Sequence, residues 1–196
     1  SYSDTTVILP TFDENGNIQN ILAQLSSRYP ECRIIVADDG SQDGTREAVR
    51  GFAYPYLTLL DRADQDVHGL TASVLDAAAI VGTKYFVVMD ADGQHPVEIV
   101  GALVGRLRSA GGMVIARRKD FDAKWGLLRR LVSFAGDGTG KIALWCRGKN
   151  YFRYDILSGF FGCEKSFWDH QSSATFKINR FRLRGYKVLF DFLKYL

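Results

Sequence analysis

Short apolar runs alternate along the first half of the chain with stretches in which apolar residues recur every third or fourth position. Thr6-Val7-Ile8-Leu9 is the first run, stopped by Pro10. Ile18, Ile21, Leu22 and Leu25 then stand at i, i+3, i+4 and i+7, one face of an amphipathic helix. Residues 33–37 read as a second buried strand running into Asp38-Asp39-Gly40-Ser41. A short helix is expected over residues 45–52, a third strand over 57–60 and an Ala-rich helix over 69–81. Residues 85–89 form the fourth strand. Pro96 is expected at the first position of a helix carrying Val100, Leu103, Val104 and Leu107, and residues 113–116 form a fifth strand.

Strands that are apolar throughout and alternate with helices predict an α/β fold: a mostly parallel open sheet, helices on both faces. Ligands of such sheets bind outside the carboxyl ends of the strands. Three acid-bearing turns follow strand ends here: Pro10-Thr11-Phe12-Asp13-Glu14, Asp38-Asp39-Gly40-Ser41 and Asp90-Ala91-Asp92. They should meet on one edge. Beyond Ala116 the pattern loosens. Residues 125–134 mix Leu127, Leu128, Leu131 and Val132 with Arg129 and Arg130, which suits an interfacial helix or one docked on a core. Residues 155–161 read as a turn and then a buried run.

At 196 residues the chain has the length of one ordinary domain with a sizeable core. No apolar stretch reaches the roughly 18–20 residues of a membrane helix, and no signal peptide opens the sequence. Cys32, Cys146 and Cys163 have neither zinc-ligand spacing nor an even number, so a reducing compartment is expected. The formal charge of +3 conceals an asymmetry: residues 117–154 hold ten basic and three acidic side chains, a net +7, leaving −4 for the rest. Such a segment is either a solvated face or a surface for phosphates and anionic headgroups. Nucleic acid fits less well, because the strand-end acids place a metal–phosphate site elsewhere.

Asp90-Ala91-Asp92 is the centre of the candidate chemistry. Two carboxylates one residue apart at a strand end suit a hard divalent cation, though Asp and Gly also favour plain turns. Other signals fall away. Residues 135–142 lack the first Gly and the final Ser or Thr of a Walker loop, having Ala135 and Ile142. No G-x-G-x-x-G follows the first strand. His68, His95 and His170 show no metal-ligand spacing, His95 alone adjoining the acidic turn.

Residues 7–14, 38–45 (DDGSQDGT) and 90–96 (DADGQHP) resemble the three hallmark segments of family 2 glycosyltransferases with a Rossmann-like GT-A fold. DADGQHP is most similar to the dolichol-phosphate mannose synthase branch and its polyprenyl-phosphate glucosyltransferase relatives. Trp125-Gly126-Leu127-Leu128-Arg129 with Ser133, residues 155–161 (DILSGFF) and Arg184-Gly185-Tyr186-Lys187 continue the likeness in order. The chain departs from it at Phe12-Asp13-Glu14, where the family has Tyr-Asn-Glu, and at Phe134-Ala135-Gly136, where it has Arg-Gly-Ala. Residues 1–196 are expected to be one catalytic domain, the family's next strand and any membrane segments falling beyond Leu196.

The resemblance implies a metal-dependent, inverting transferase. Its donor would be a sugar nucleotide, GDP-mannose foremost and UDP-glucose as the alternative. Its acceptor would be a polyprenyl (dolichyl) monophosphate at the cytoplasmic side of a plasma or endoplasmic reticulum membrane. Asp90, Asp92 and Gln94 would hold Mg2+ or Mn2+. Asp39 and Glu14 would face the nucleoside, with Pro10, Phe12, Asp38, Ser41 and Lys187 in the same donor set. Arg117, Arg129 and Ser133 would bind phosphate. Asp155 matches a base or orienting position, or is a cap or turn residue. A catalytically silent lipid-phosphate or nucleotide-binding subunit is the non-enzymatic alternative.

Overall fold

The computed structural model describes residues 1–116, 159–175 and 189. Its strands are β1 (Thr5–Thr11), β2 (Arg33–Asp38), β3 (Leu57–Asp61), β4 (Tyr85–Val88), β5 (Met113–Ile115) and β6 (Phe161–Glu164). The helices are α1 (Asn15–Arg28), α2 (Thr45–Arg50), α3 (Leu70–Ile80), α4 (Glu98–Ala110) and α5 (Lys165–Thr175). The six strands form one sheet in the order β3-β2-β1-β4-β6-β5. β1 is parallel to β2 and to β4, and β2 to β3, while β6 runs antiparallel to both β4 and β5.

Successive strand residues face opposite sides, so each apolar run feeds two cores. Val7, Leu9, Ile34, Val36 and Val87 pack with Ile18, Leu22 and Leu25 of α1 and Val100 and Val104 of α4. Ile8, Ile35, Ala37, Phe86 and Val88 pack on the other face with Val74, Ala77 and Ala78 of α3 and Trp168 of α5. Phe86 meets Trp168 edge-on at 5.4 Å between ring centroids. Helices thus cover both faces, as the apolar-throughout strands predict.

Two details differ from the sequence expectation. Pro10 does not stop β1, which runs on to Thr11 with Pro10 opposite Ala37. Pairing of β1 with β4 ends at Ile8, so the missing Pro10 N–H faces a side where no ladder continues. Pro96 is not the first helical residue: α4 begins at Glu98, and the Pro96 carbonyl accepts from Ile99 N in the preceding turn. In the sheet β6 is inserted between β4 and β5. Gly162 permits this insertion; a Cβ there would stand 2.8 Å from Leu107 Cδ1 of α4. The predicted helix over residues 125–134 lies outside the described residues.

The topological switch falls between β1 and β4: the chain leads from β1 to β2 toward one edge of the sheet and from β4 to β5 toward the other. The turns after β1 and β4 flank that point. Among the described residues no helix is long and apolar enough to cross a membrane.

Candidate active site

A cleft of about 1120 Å³ opens at the carboxyl ends of β1, β2 and β4. Pro10, Thr11, Phe12 and Glu14 line it from the β1 turn, Asp39, Gly40 and Gln42 from the β2 turn, and Asp90, Ala91 and Asp92 from the β4 turn. The β3–α3 loop adds Ala63, Asp66, His68 and Gly69, and Gly159 closes one side. All three acid-bearing turns therefore converge.

Half of DDGSQDGT is scaffold. Asp38 is fully buried. Its Oδ2 accepts from Thr11 Oγ1 (2.8 Å) and Ser41 Oγ (2.6 Å), and its Oδ1 from Gly40 N and Ser41 N. Ser41 Oγ in turn accepts from Asp13 N, tying the β1 turn to the β2 turn. The first N–H groups of α1 are capped from the same loop. Glu14 N donates to Thr45 Oγ1 and Asn15 N to Asp43 Oδ2, each at 2.9 Å. Satisfying those orphan donors from a neighbouring loop fixes where α1 starts, and so where Glu14 stands.

Asp39 faces the cleft and is held by a buried cation. Arg62, only 2 % exposed, pairs through NH1 with Asp39 Oδ1. It also donates to Ser73 Oγ (3.0 Å), Asp76 Oδ2 (2.8 Å) and the Val67 carbonyl (2.8 Å). Gly69 N donates to Asp39 Oδ2 at 2.6 Å, and His68 Nδ1 lies 3.2 Å from Oδ1. One guanidinium fork thus binds β3, the β3–α3 loop and α3 to the acid beside the cleft.

The opposite pole is acidic and incompletely satisfied. Asp90 Oδ2 lies 3.2 Å from His95 Nε2, whereas Asp90 Oδ1 is buried with no hydrogen-bond partner among the described residues. Asp92 Oδ1 accepts from Gln94 N at 2.9 Å. Burial lifts the Glu14 carboxyl above the ordinary carboxylate range, against the hydrogen bond from Asn17, and the like charges of Asp92, Asp43 and Asp90 add to the rise. A buried acceptor without a donor is costly. Hard oxygen atoms gathered where negative charge is already excessive fit a divalent cation. Among the described residues no three His, Cys, Asp or Glu side chains stand grouped so as to hold a metal ion by themselves.

The family model for Glycosyl transferase family 2 matches residues 6–176. The chain belongs to glycosyl transferase family 2. It is 30% identical over 165 residues to a dolichol-phosphate mannosyltransferase of Pyrococcus furiosus, covering 82% of this chain and 46% of that protein. A dolichol-phosphate mannosyltransferase of Mycosarcoma maydis is 28% identical, covering 96% of this chain and 64% of that one. The chain thus spans from about half to under two thirds of the length of these relatives. Its fold is the GT-A fold of a glucosyl-3-phosphoglycerate synthase from Mycobacterium tuberculosis: TM-score 0.68, 21% identity, 96% of this chain and 63% of that one. A mannosyltransferase from Pyrobaculum calidifontis, solved with GDP-Man and Mn2+, matches 60% of this chain and 37% of its own at 28% identity and TM-score 0.52.

Within this family 2 domain the structure brings Pro10, Phe12, Glu14, Asp39, Asp90 and Asp92 to one cleft. Phe12 is 62% exposed, an aromatic face offered to solvent at the cleft wall. Three other sequence candidates stand elsewhere. Asp38 and Ser41 are buried scaffold, and Gln94 is exposed on the turn, off the cleft wall, its backbone rather than its side chain serving Asp92. Arg117, Arg129, Ser133, Asp155 and Lys187 lie outside the described residues. Arg62 was not legible as a site residue, since a lone Arg after a strand carries no motif. An acid at the end of the neighbouring strand, in need of a partner, was the only signal.

Gly159 is the site's tightest clearance. A Cβ there would stand 2.5 Å from Asp90 Oδ1 and 2.7 Å from its Cγ, and closer still to Oδ2. Gly159→Ala is expected to push the Asp90 carboxylate aside, at a stability cost of about 1–3 kcal/mol. Mn2+ affinity, followed by electron paramagnetic resonance, should fall at least about tenfold. An alanine variant with unchanged Mn2+ affinity would show that the Asp90 carboxylate has room to move.

Proposed function

We propose that this domain is a metal-dependent inverting transferase that moves mannose from GDP-mannose onto a polyprenyl monophosphate at the cytoplasmic face of a membrane. The observation that carries the reading is the pairing of poles in one cleft: a partnerless buried carboxylate oxygen at Asp90 and a clamped acceptor at Asp39. The named dolichol-phosphate mannosyltransferases support the acceptor class, and the neighbour solved with GDP-Man and Mn2+ supports the donor and the cation. Residues 1–196 act in this reading as one GT-A catalytic domain.

Asp90 and Asp92, with Gln94 from the same turn, would hold Mg2+ or Mn2+. When bound, that cation neutralises the charge that builds on the departing nucleoside diphosphate. Asp39 accepts a hydrogen bond from the nucleoside, and Phe12 covers it. Arg117, Arg129, Ser133 and Lys187 bind phosphate oxygens, the Arg forks two at a time. Asp155 orients the acceptor. A phosphate monoester has its second pKa near ~6 and attacks C1 largely as the dianion, so positioning and charge stabilisation outweigh general-base help. The basic segment 117–154 draws the lipid phosphate from the headgroup layer.

UDP-glucose is the second reading, and one observation favours it. Asp39 already accepts from Arg62, His68 and Gly69 N–H. A carboxylate offers about four lone-pair positions, so one remains. A single position serves the imide N–H of uracil fully and guanine's paired N–H groups only in half.

The test mixes protein, a short polyprenyl phosphate and radiolabelled GDP-mannose or UDP-glucose, with Mn2+ or EDTA. Lipid-linked mannose that disappears in EDTA is the expected result. Transfer only from UDP-glucose would replace the donor, and transfer only to a soluble glycan would overturn the acceptor.

A further inference from the structure

We propose that His95 is a positioning residue: its Nε2–H grips Asp90 Oδ2 and thereby aims Asp90 Oδ1 at the bound cation. The inference rests on the reading of Asp90 as a cation ligand. It begins from the geometry of one contact, His95 Nε2 to Asp90 Oδ2 at 3.2 Å, with the His95 side chain only 13% exposed. An ionised carboxylate only accepts hydrogen bonds, so Nε2 is the protonated nitrogen of the ring. Rotation of an Asp carboxylate about its last torsion is broad and roughly two-fold. One pinned oxygen therefore sets the direction of the other, and the other is the buried atom without a hydrogen-bond partner among the described residues.

The ring that does the pinning is itself fixed from two sides. It packs on Phe160 with centroids 5.0 Å apart and planes tilted by 51°. Phe160 is 2% exposed within the α1–α4 core, and its carbonyl accepts from Ala116 N at 3.0 Å, anchoring the segment to the end of β5. On the backbone side, Pro96 restricts the residue before it to extended conformations. Gly93, at φ +73°, makes the reversal that returns the chain toward Asp90. The order Asp-Ala-Asp-Gly-Gln-His-Pro is thus a ligand, a turn and a brace for the ligand, with Gly159 leaving the space the carboxylate occupies. Outer-shell hydrogen bonds of this kind are worth about 10–100-fold in metal affinity.

The test compares full-chain wild type, His95→Leu and His95→Gln by Mn2+ titration with GDP present, read by electron paramagnetic resonance. GDP affinity in EDTA and Tm are measured alongside. His95→Leu is expected to weaken Mn2+ about 10–100-fold, with metal-free GDP affinity unchanged. His95→Gln, which restores an N–H donor at similar reach, should recover most of the loss. Wild-type Mn2+ affinity in the leucine variant overturns the positioning role while leaving the cation site standing. Equal loss in both variants also overturns it, since packing rather than the hydrogen bond would then be responsible. Absence of Mn2+ binding to the wild type overturns the cation reading and this inference together.

Discussion

Asp90→Asn is expected to cut Mn2+-dependent turnover by about 10²–10³-fold, the cost of removing a preorganised electrostatic group, while leaving the protein at least as stable. The two halves have one cause. Asp90 Oδ1 is buried and, among the described residues, has no hydrogen-bond donor, so in the absence of a cation the folded chain carries an unsatisfied carboxylate oxygen. Asparagine keeps the shape and removes the charge, which relieves the fold and disables the site. In EDTA the variant's Tm should equal or exceed that of wild type. Adding Mn2+ should raise the Tm of wild type, because a ligand that binds only the native state stabilises it, and should leave the variant unmoved. Asp92→Asn should share the loss of turnover without the gain in stability, since Asp92 Oδ1 already has the Gln94 N–H as partner. A variant at position 90 that keeps its Mn2+-induced Tm shift would place the cation elsewhere.

That contrast between Asp90 and Asp92 marks where reading the sequence succeeds and where it stops. Strand and helix order was legible because buried parallel strands and amphipathic helices leave different apolar periods. Convergence of the three turns followed from parallel topology alone. What each acid does within its turn was not legible. Asp38 and Asp39 are adjacent in sequence, yet Asp38 points into four backbone and hydroxyl donors and Asp39 toward the cleft. Alternation along an extended chain sends neighbours to opposite sides, and only the strand's rotation decides which neighbour faces the ligand. The same limit applies to Gln94, an exposed residue of the turn whose N–H donates to Asp92 Oδ1. β6 escaped notice for a different reason. Its four residues pair antiparallel between strands more than forty positions away in sequence, and no local period encodes that partner.

Arg62 is the residue whose loss should damage stability and donor binding together. Arg62→Met is expected to destabilise the protein by about 3–5 kcal/mol, the usual result of deleting one partner of a buried pair. At 196 residues this lowers Tm by roughly 6–20 °C. Most of the cost should come from Asp39, whose side chain is only 10% exposed; Asp76, at 49%, is rescued by water. The second effect is on ligand binding. Without the guanidinium, Asp39 keeps only the Gly69 and His68 contacts, and the β3–α3 loop loses the bond to the Val67 carbonyl. Nucleotide affinity measured in EDTA should therefore fall, in contrast to the Asp90 variant, where only the metal-dependent part is lost. Arg62→Lys should not repair this, because a point charge cannot reach Asp39, Asp76, Ser73 and Val67 from one planar fork. Adding Asp39→Asn to Arg62→Met removes the stranded charge and should restore part of the lost stability. Restoration without recovery of nucleotide binding would separate the two roles of Asp39: a charge that Arg62 neutralises and an acceptor that the nucleoside needs. Additive destabilisation in the double variant would instead mean that the pair is not coupled, and that Arg62 acts through α3 alone.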